Sequence, residues 1–561
     1  MKPIMKLYSS LTAAALLTSL VLPAGAASEE QSLTDYQKER RKQQIISHLQ
    51  DRDFQPSTEQ ASGFSALAVT QAVYVNKVDI YSDHEYSFSS AGGTFTLKDQ
   101  NHDDIDYFIY NNDSEEMVYP SGVDSYNLPA GNYSLIVTSY NETQMDYRFE
   151  LSGNFNGTPD VTLPTLQVAN PNSHDLRLAK GSSSAYTVKG SSDAKFVSIA
   201  DNNYEYDSIE NPVNFSQRIT LDKGINGIYL YAWESSGNAV GSYHNVTLPG
   251  VSRIAGKDRY AVSAGVSAQL SKWSYDTGTV IIARGDMYPD ALSGGPLAVI
   301  EGAPVLLTAT NFLPADIQNQ IVDLGAQRAI ILGGAGSVST NVEAQLRKLG
   351  VTDIERIGGR DRFVVSADTA ERVADYWGSD TAIIASGEVF PDALSASTIA
   401  GPAGMPILLV KSDTITDPVQ TFIKNHPEIN NFIIVGGPAT VKTSVTDKIK
   451  QLRSGAYVER IGGKDRYEVA INVAKFGMQN FGMNLNTLTV VRGDIFPDAL
   501  SGAPLANLHS GPILLTTSAK LEAKVNTFLQ NNQSQIDSIY IVGGTGSVST
   551  TAEQQLYGHI R

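Results

Sequence analysis

The chain has 561 residues, 42% of them hydrophobic and 18% charged, with a net charge of −17. At about one domain per ~150 residues this supports roughly three to five packed domains. The acidic balance argues against a nucleic-acid partner, and the absence of cysteine excludes disulfides, thiolate metal sites and a cysteine nucleophile.

Lys2 and Lys6 precede an apolar run, Leu11 to Leu22, that ends at Pro23-Ala-Gly-Ala-Ala27. A basic start, an apolar stretch and a small-residue site predict a secretory signal peptide over 1–26, cleaved after Ala26 or Ala27. The run is short for a membrane span, and no later stretch reaches ~18 apolar residues, so the mature chain is expected off the membrane. A secreted chain without cysteine suits a Gram-positive exterior. No Leu-Pro-x-Thr-Gly sorting signal stands near the C-terminus, so retention on the cell surface would fall to a folded domain. Residues 27–67 are polar and read as a linker or helical arm.

From 68 to 156 short runs alternate with period two, including Ala72-Val-Tyr-Val75, Asp106-Tyr-Phe-Ile-Tyr110 and Tyr133-Ser-Leu-Ile-Val-Thr138. Alternation and Tyr/Val/Thr enrichment predict an antiparallel β-sandwich. Leu128-Pro-Ala-Gly-Asn-Tyr-Ser-Leu-Ile-Val137 with Tyr147-Arg-Phe-Glu-Leu151 resembles the prepeptidase C-terminal-type domain of secreted bacterial enzymes. Residues 157–250 form a second β-rich segment. Its run Gly227-Ile-Tyr-Leu-Tyr-Ala-Trp233, the Ser236-Gly-Asn238 turn and Ser242-Tyr-His-Asn-Val-Thr-Leu248 resemble a bacterial immunoglobulin-type module.

The C-terminal half is triplicated. Arg253-Ile-Ala-Gly-Lys-Asp-Arg-Tyr260 returns as Arg356-Ile-Gly-Gly-Arg-Asp-Arg-Phe363 and Arg460-Ile-Gly-Gly-Lys-Asp-Arg-Tyr467. A second block ends in Tyr288-Pro-Asp-Ala-Leu292, Phe390-Pro-Asp-Ala-Leu394 and Phe496-Pro-Asp-Ala-Leu500. A third is Pro304-Val-Leu-Leu307, Pro406-Ile-Leu-Leu409 and Pro512-Ile-Leu-Leu515, and a fourth ends in Gly333-Gly334, Gly436-Gly437 and Gly543-Gly544. Unalternated runs such as Thr279-Val-Ile-Ile-Ala283 predict strands buried on both faces of a parallel sheet, with helices between them. Three α/β units follow, over 252–352, 353–455 and 456–561. Asp290, Asp392 and Asp498 stand at strand-to-helix turns and are expected to cap the helices.

These four blocks, in this order, resemble the cell-wall-binding repeat type 2 family of Gram-positive surface proteins. The resemblance implies Rossmann- or Toprim-like units about a pseudo-threefold axis and non-covalent attachment to anionic polymers of the cell wall. The whole chain thus reads as multidomain: two N-terminal all-β sandwiches followed by three α/β repeats.

The basic residues Arg253, Lys257, Arg259, Arg356, Arg360, Arg362, Arg460, Lys464 and Arg466 are the candidate polymer contacts, since guanidinium forks match phosphate and carboxylate groups. The competing reading is structural: the block's aspartate caps a helix while its arginines form ion pairs that stitch repeats together. Residues 251–561 carry 26 Lys and Arg against 29 Asp and Glu, leaving 16 against 30 for the first 250. Binding a polyanion therefore requires cations gathered on one face, or a bridging divalent metal.

Gly333-Gly-Ala-Gly-Ser-Val-Ser339 lacks the last glycine of a dinucleotide loop and reads as a tight turn. Arg284-Gly-Asp286 and Arg492-Gly-Asp494 spell an integrin-type tripeptide, but Ser386-Gly-Glu388 in the middle copy assigns it to the repeat. Asp99, Asp103, Asp104 and Asp106 are a weak calcium candidate without EF-hand spacing; calcium is the one cofactor the residues suggest. No nucleophile–base or metal-ligand constellation is readable, and His244, His426 and His509 stand apart. The expectation is a secreted, non-catalytic wall protein whose β-domains serve as a spacer or bind a protein or carbohydrate. The alternative is a wall-modifying hydrolase, or an accessory that recruits an autolysin; carboxylate pairs leave no sequence signature, so a glycosidase stays open.

Overall fold

The computed structural model describes residues 71–561 apart from 100–104, 115, 123, 140, 142, 202–204, 273–277 and 497. The expected signal peptide and cleavage site, the polar arm expected over 27–67, Asp103 and Asp104 lie outside the described residues. Two compact units divide the described chain, one ending at Thr247 and the other running from Leu248 to Arg561 with Ala179–Ser182.

The first unit is all β: β1 (Gln71–Val78), β2 (Ser82–Asp99), β3 (Ile105–Asn111), β4 (Glu116–Val118), β5 (Ser125–Ser139), β6 (Met145–Ser152), β7 (Leu166–Asn170), β8 (Asp175–Arg177), β9 (Ala185–Ser192), β10 (Phe196–Asp201), β11 (Glu205–Glu210), β12 (Phe215–Thr220), β13 (Gly224–Trp233) and β14 (Ala239–Leu248). Tyr74, Tyr86, Phe95, Leu97, Tyr133, Leu135, Tyr147 and Phe149 alternate inward and form its main core. The expected two separate sandwiches are joined. Ser82–Glu85 of β2 pairs antiparallel with Ala239–Ser242 of β14, so one sheet runs β11-β10-β13-β14-β2-β5-β3-β4 across the division read at 156/157. Asn238, in the Gly-Asn turn, reinforces the join. Its carbonyl accepts from Ser87 N at 2.8 Å, and its amide donates to the Asp160 and Thr162 carbonyls at 3.0 and 2.6 Å.

The second unit holds the repeats. The first contributes β15 (Gly250–Ile254), α1 (Arg259–Ser271), β16 (Thr279–Arg284), a 3-10 turn (Asp290–Ser293) leading into α2 (Gly294–Ile300), β17 (Val305–Thr308), α3 (Ala315–Asp323), β18 (Arg328–Leu332) and α4 (Thr340–Lys348). The second contributes β19 (Asp353–Ile357), α5 (Arg362–Trp377), β20 (Thr381–Ser386), α6 (Pro391–Ala400), β21 (Ile407–Val410), α7 (Asp417–Asn425), β22 (Asn431–Val435) and α8 (Thr443–Leu452). The third contributes β23 (Tyr457–Ile461), α9 (Arg466–Asn480), β24 (Thr487–Arg492), α10 (Gly502–Leu508), β25 (Ile513–Thr516), α11 (Ala523–Asn531), β26 (Ser538–Val542) and α12 (Thr550–Gly558).

The three sheets are wholly parallel, β17-β16-β18-β19, β21-β20-β22-β23 and β25-β24-β26-β15. Each is completed by the first strand of the next repeat, and β15 closes the circle by pairing with β26 from Gly250↔Ser538 to Ile254↔Val542. The repeat phase in the sequence and the sheet boundaries therefore differ by one strand. Central strands are buried on both faces, as their unalternated apolar runs require. Val280, Ile282 and Ile331 pack against Ala264 of α1, Ile317 and Ile321 of α3, and Val342 and Leu346 of α4. On the opposite face α2, α6 and α10 meet one another. A Cβ added at Gly295 of α2 would come within 2.7 Å of Ser397 Cβ, so glycine sets how closely these helices approach.

Candidate functional site

In each sheet the strand order reverses between its first and third strands, as between β16 and β18, and open parallel sheets form crevices at such points, outside the strands' carboxyl ends. The Arg-Gly-Asp or Ser-Gly-Glu loop, the Gly-Gly turn and the Arg-Asp-Arg block all lie at these ends. The last of these carries the chain from one sheet to the next: β15 belongs to the β26 sheet, whereas α1 packs on β17.

The basic residues of this crossover have three different fates. Arg253, Arg356 and Arg460, expected as polymer contacts, are committed inside the fold. Arg253 donates to the Gly543 carbonyl at 2.9 Å and to Glu553 at 2.8 Å, Arg356 to the Gly333 carbonyl at 2.7 Å and to Glu343, and Arg460 to the Gly436 and Val441 carbonyls, each at 2.8 Å. Each ties its strand to the preceding repeat. Lys257, Arg360 and Lys464 form an exposed rim, where Lys257 pairs with Asp316 at 2.9 Å and Arg360 lies 3.6 Å from Asp361.

Arg259, Arg362 and Arg466 are drawn to the centre. Each donates to a glycine carbonyl of its own repeat: Arg259 to Gly285 at 2.8 Å, Arg362 to Gly387, and Arg466 to Gly493 at 2.6 Å. Each guanidinium also lies over an aromatic ring of the preceding repeat, Arg259 over Phe496 at 5.8 Å, Arg362 over Tyr288 at 5.7 Å and Arg466 over Phe390 at 5.8 Å. Those rings touch one another, with centroids 5.8 Å (Tyr288–Phe390), 5.3 Å (Tyr288–Phe496) and 6.0 Å (Phe390–Phe496) apart. Among the described residues each guanidinium has the glycine carbonyl as its hydrogen-bond acceptor, leaving further N–H groups for a ligand.

Helix capping falls to the aspartate of the Arg-Asp-Arg or Lys-Asp-Arg block, as the structural reading of that block has it. Asp258 accepts from Tyr260 N and Ala261 N at 3.0 and 2.9 Å, Asp361 from Phe363 N and Val364 N at 3.0 and 3.1 Å, and Asp465 from Glu468 N at 2.9 Å. Asp290, Asp392 and Asp498 are not N-caps. The residue before Asp290, Pro289, is already helical at φ −61° and ψ −44°, so the chain enters the helix without an extended cap residue. The carboxylates instead turn under the Gly-Gly turns, where Asp392 accepts from Thr440 Oγ1 at 2.8 Å and Asp498 from Ser547 Oγ. Burial raises the pKa of all three, opposed by Ser337, Thr440 and Ser547 hydroxyls and by Arg362, Arg466 and Arg259 of the next repeat. The turn itself needs glycine: Gly333 has φ +111°, and a Cβ there would meet Asp290 Oδ2 at 2.5 Å.

Arg284 and Asp286 chelate one another, as do Arg492 and Asp494 at 2.6 and 2.8 Å, so the tripeptide is closed on itself. In the middle copy Glu388 accepts from Ser412 N at 2.9 Å, and its carbonyl accepts from the Tyr288 hydroxyl at 2.6 Å. Of the calcium candidates, Asp99 ends β2 and Asp106 lies in β3, accepting from Tyr107 N at 2.8 Å. Among the described residues no three His, Cys, Asp or Glu side chains gather where they could hold a metal. The central rings went unassigned from sequence, although an aromatic residue before Pro-Asp in all three copies was a readable signal.

Fold and site together define a class of protein: three homologous α/β units closed into a ring, with like side chains from each brought to its centre. The family model described as "Cell wall binding domain 2 (CWB2)" matches residues 253–343, 356–446 and 460–553, and the chain belongs to this family. It is 31% identical over 308 residues to the N-acetylmuramoyl-L-alanine amidase LytC of Bacillus subtilis (54% of this chain, 58% of the relative). It is also 31% identical over 304 residues to the Amidase enhancer of the same organism (54% and 40%). The chain thus spans about half the length of these curated relatives. Among solved structures, Cwp6 from Clostridium difficile aligns with TM-score 0.55 at 20% identity (71% of this chain, 68% of that one), and Cwp8 with 0.50 at 22% (60% of each).

Proposed function

We propose that this is a secreted, non-catalytic surface protein held on the cell wall by its C-terminal ring, which grips anionic wall polymers without a covalent link. The ring units are read as Rossmann- or Toprim-like domains about a pseudo-threefold axis, and the β-unit as a displayed spacer or a binder of protein or carbohydrate. The carrying observation is the trio Arg259, Arg362 and Arg466, each anchored by one glycine carbonyl and facing a common centre. This answers the charge problem of a nearly neutral repeat region: the cations are gathered at one place. Three equivalent contacts also give avidity that a single weak ion contact lacks.

The test is sedimentation of the full chain with purified Gram-positive walls, before and after removal of their anionic polymers. Native protein is expected to pellet only with intact walls, and Arg259→Gln/Arg362→Gln/Arg466→Gln to stay in solution. Equal pelleting by native and triple variant would sink the assignment of the site. A second reading, an accessory that works with an amidase, is favoured by the 31% identity to the Amidase enhancer. Adding the chain to an amidase digesting walls should raise the initial rate if it holds.

A further inference from the structure

The middle repeat departs from the other two at the turn from α7 to β22. It reads His426-Pro-Glu428 there, whereas the corresponding turns, Leu324-Gly-Ala-Gln327 and Asn532-Gln-Ser-Gln-Ile-Asp537, hold no histidine. Counting from the central arginine of each repeat, Glu371 of α5 falls where α1 has Ala268 and α9 has Lys475. Histidine and glutamate thus occur together in one copy, and the fold joins them. His426 Nε2 lies 2.5 Å from Glu371 Oε2, and its Nδ1 lies 2.6 Å from Glu428 Oε1. The imidazole stacks on Phe422 of α7, with ring centroids 4.3 Å apart, and is 12% exposed. Arg453, directly after α8, donates to the His426 carbonyl at 2.8 Å and to the Ile423 carbonyl, so the imidazole is presented from a fixed base.

An imidazole with a carboxylate at each nitrogen is selective about its protonation. Neutral histidine has one N–H and one lone pair, so it serves one glutamate and turns a lone pair toward the other; only imidazolium donates to both. The bridge therefore closes with a proton and opens without one. We propose that His426 is a proton-operated latch, which clips α5 to the α7–β22 turn while protonated and lets go when the proton leaves. The groups facing it favour closure. Burial works against the imidazolium, but the hydrogen bonds and charges of Glu371 and Glu428 outweigh it and hold the histidine above its ordinary 6.5. Glu428 is held below its ordinary value by its own backbone N–H, with His426 and Arg453 adding to this, so it stays ionised. On α5, Asp368 interacts with Glu371 and is itself raised by burial and by that neighbour. From α7 the imidazole meets Phe422, which carries no charge. The folded chain thus holds this proton more tightly than the unfolded one. The latch contributes fully below pH 6.5 and is lost as pH rises through the folded value.

Two measurements on the full chain test this. The imidazole signal of His426, assigned by its loss in His426→Gln, is followed by nuclear magnetic resonance from about pH 5 to about pH 10. It should titrate above 6.5, and Glu371→Gln, a change at a solvent-open side chain, should bring the midpoint down. Urea unfolding of the ring is then followed by helical ellipticity at about pH 6 and about pH 9, for the native chain and for His426→Gln. Native protein is expected to be the more stable at the lower pH, and the ratio of the two unfolding constants to shrink on the order of tenfold at the higher. Glutamine fills similar space as a neutral donor, so a purely structural histidine would leave the same gap at both pH values. A His426 midpoint at or below 6.5, or a gap between native and variant that does not change with pH, would overturn the latch.

Discussion

Replacing Arg253 by glutamine tests whether the ring is held shut where the first repeat strand meets the last. The Arg253 side chain is 13% exposed and makes charged hydrogen bonds to the Gly543 carbonyl and the Glu553 carboxylate. Such bonds contribute roughly 1.5–3 kcal/mol each. Glu553 keeps 31% exposure and rehydrates when its partner leaves, which brings the expected loss to about 2 kcal/mol. Spread over the ~310 residues of the ring, that lowers Tm by about 3 °C. Among the described residues the helices all lie in the ring, so far-ultraviolet helical ellipticity follows its melting without interference from the β-unit. Arg460→Gln is the internal control: two carbonyl partners and no carboxylate predict a smaller shift. An unchanged Tm for Arg253→Gln, or a larger drop for Arg460→Gln, would refute the reasoning.

Asp361→Ala should cost about 1 kcal/mol by uncapping α5, and Asp361→Asn should restore most of it, both read by chemical denaturation. Gly333→Ala forces a side chain into a left-handed backbone against Asp290 and should cost ~2 kcal/mol, visible in the same assay. The β-unit should weaken in acid. Burial pulls His84 and His244 from 6.5 down to about 4, so the unfolded chain takes up protons first. Stability is then lost as pH falls from 6.5 towards 4, up to ~3 kcal/mol per histidine. Near-ultraviolet tyrosine signals across a pH series check this, and a flat profile in that window would contradict it.

The interior of the ring was legible because burial on both faces leaves a mark in sequence: Val280-Ile-Ile-Ala283 and Ile330-Ile-Leu332 carry the unalternated apolar runs of strands covered on both sides. What the repeats conceal is which copy's sheet a strand joins. Arg-Ile-Gly-Gly reads as the opening of a unit, yet Asp353–Ile357 completes the sheet before it, and no periodicity distinguishes the two. Asp290, Asp392 and Asp498 looked like caps because Pro-Asp after a strand has that chemistry. The helical Pro289 and the hydroxyls of Ser337, Thr440 and Ser547, some 47–49 positions away, redirect them. The join of the two β segments was equally hidden, since Ser82–Glu85 and Ala239–Ser242 share no pattern that announces their pairing. The arginines were found as a group but not sorted, because strand-end and helix-start positions six residues apart meet entirely different neighbours.

The closing strand also sits in an unusual place along the covalent chain. β14, the last strand of the β-unit, ends at Leu248, and β15 begins at Gly250. Under the proposed anchoring, a pull passed along the covalent chain at Leu248 reaches the ring at Gly250, one end of the five-residue ladder that closes it. Load entering there meets that ladder and the Arg253 clamp before the proposed contacts with the wall. On that reading the clasp stands in series with the wall contacts, and a tether attached at Arg561 bypasses it.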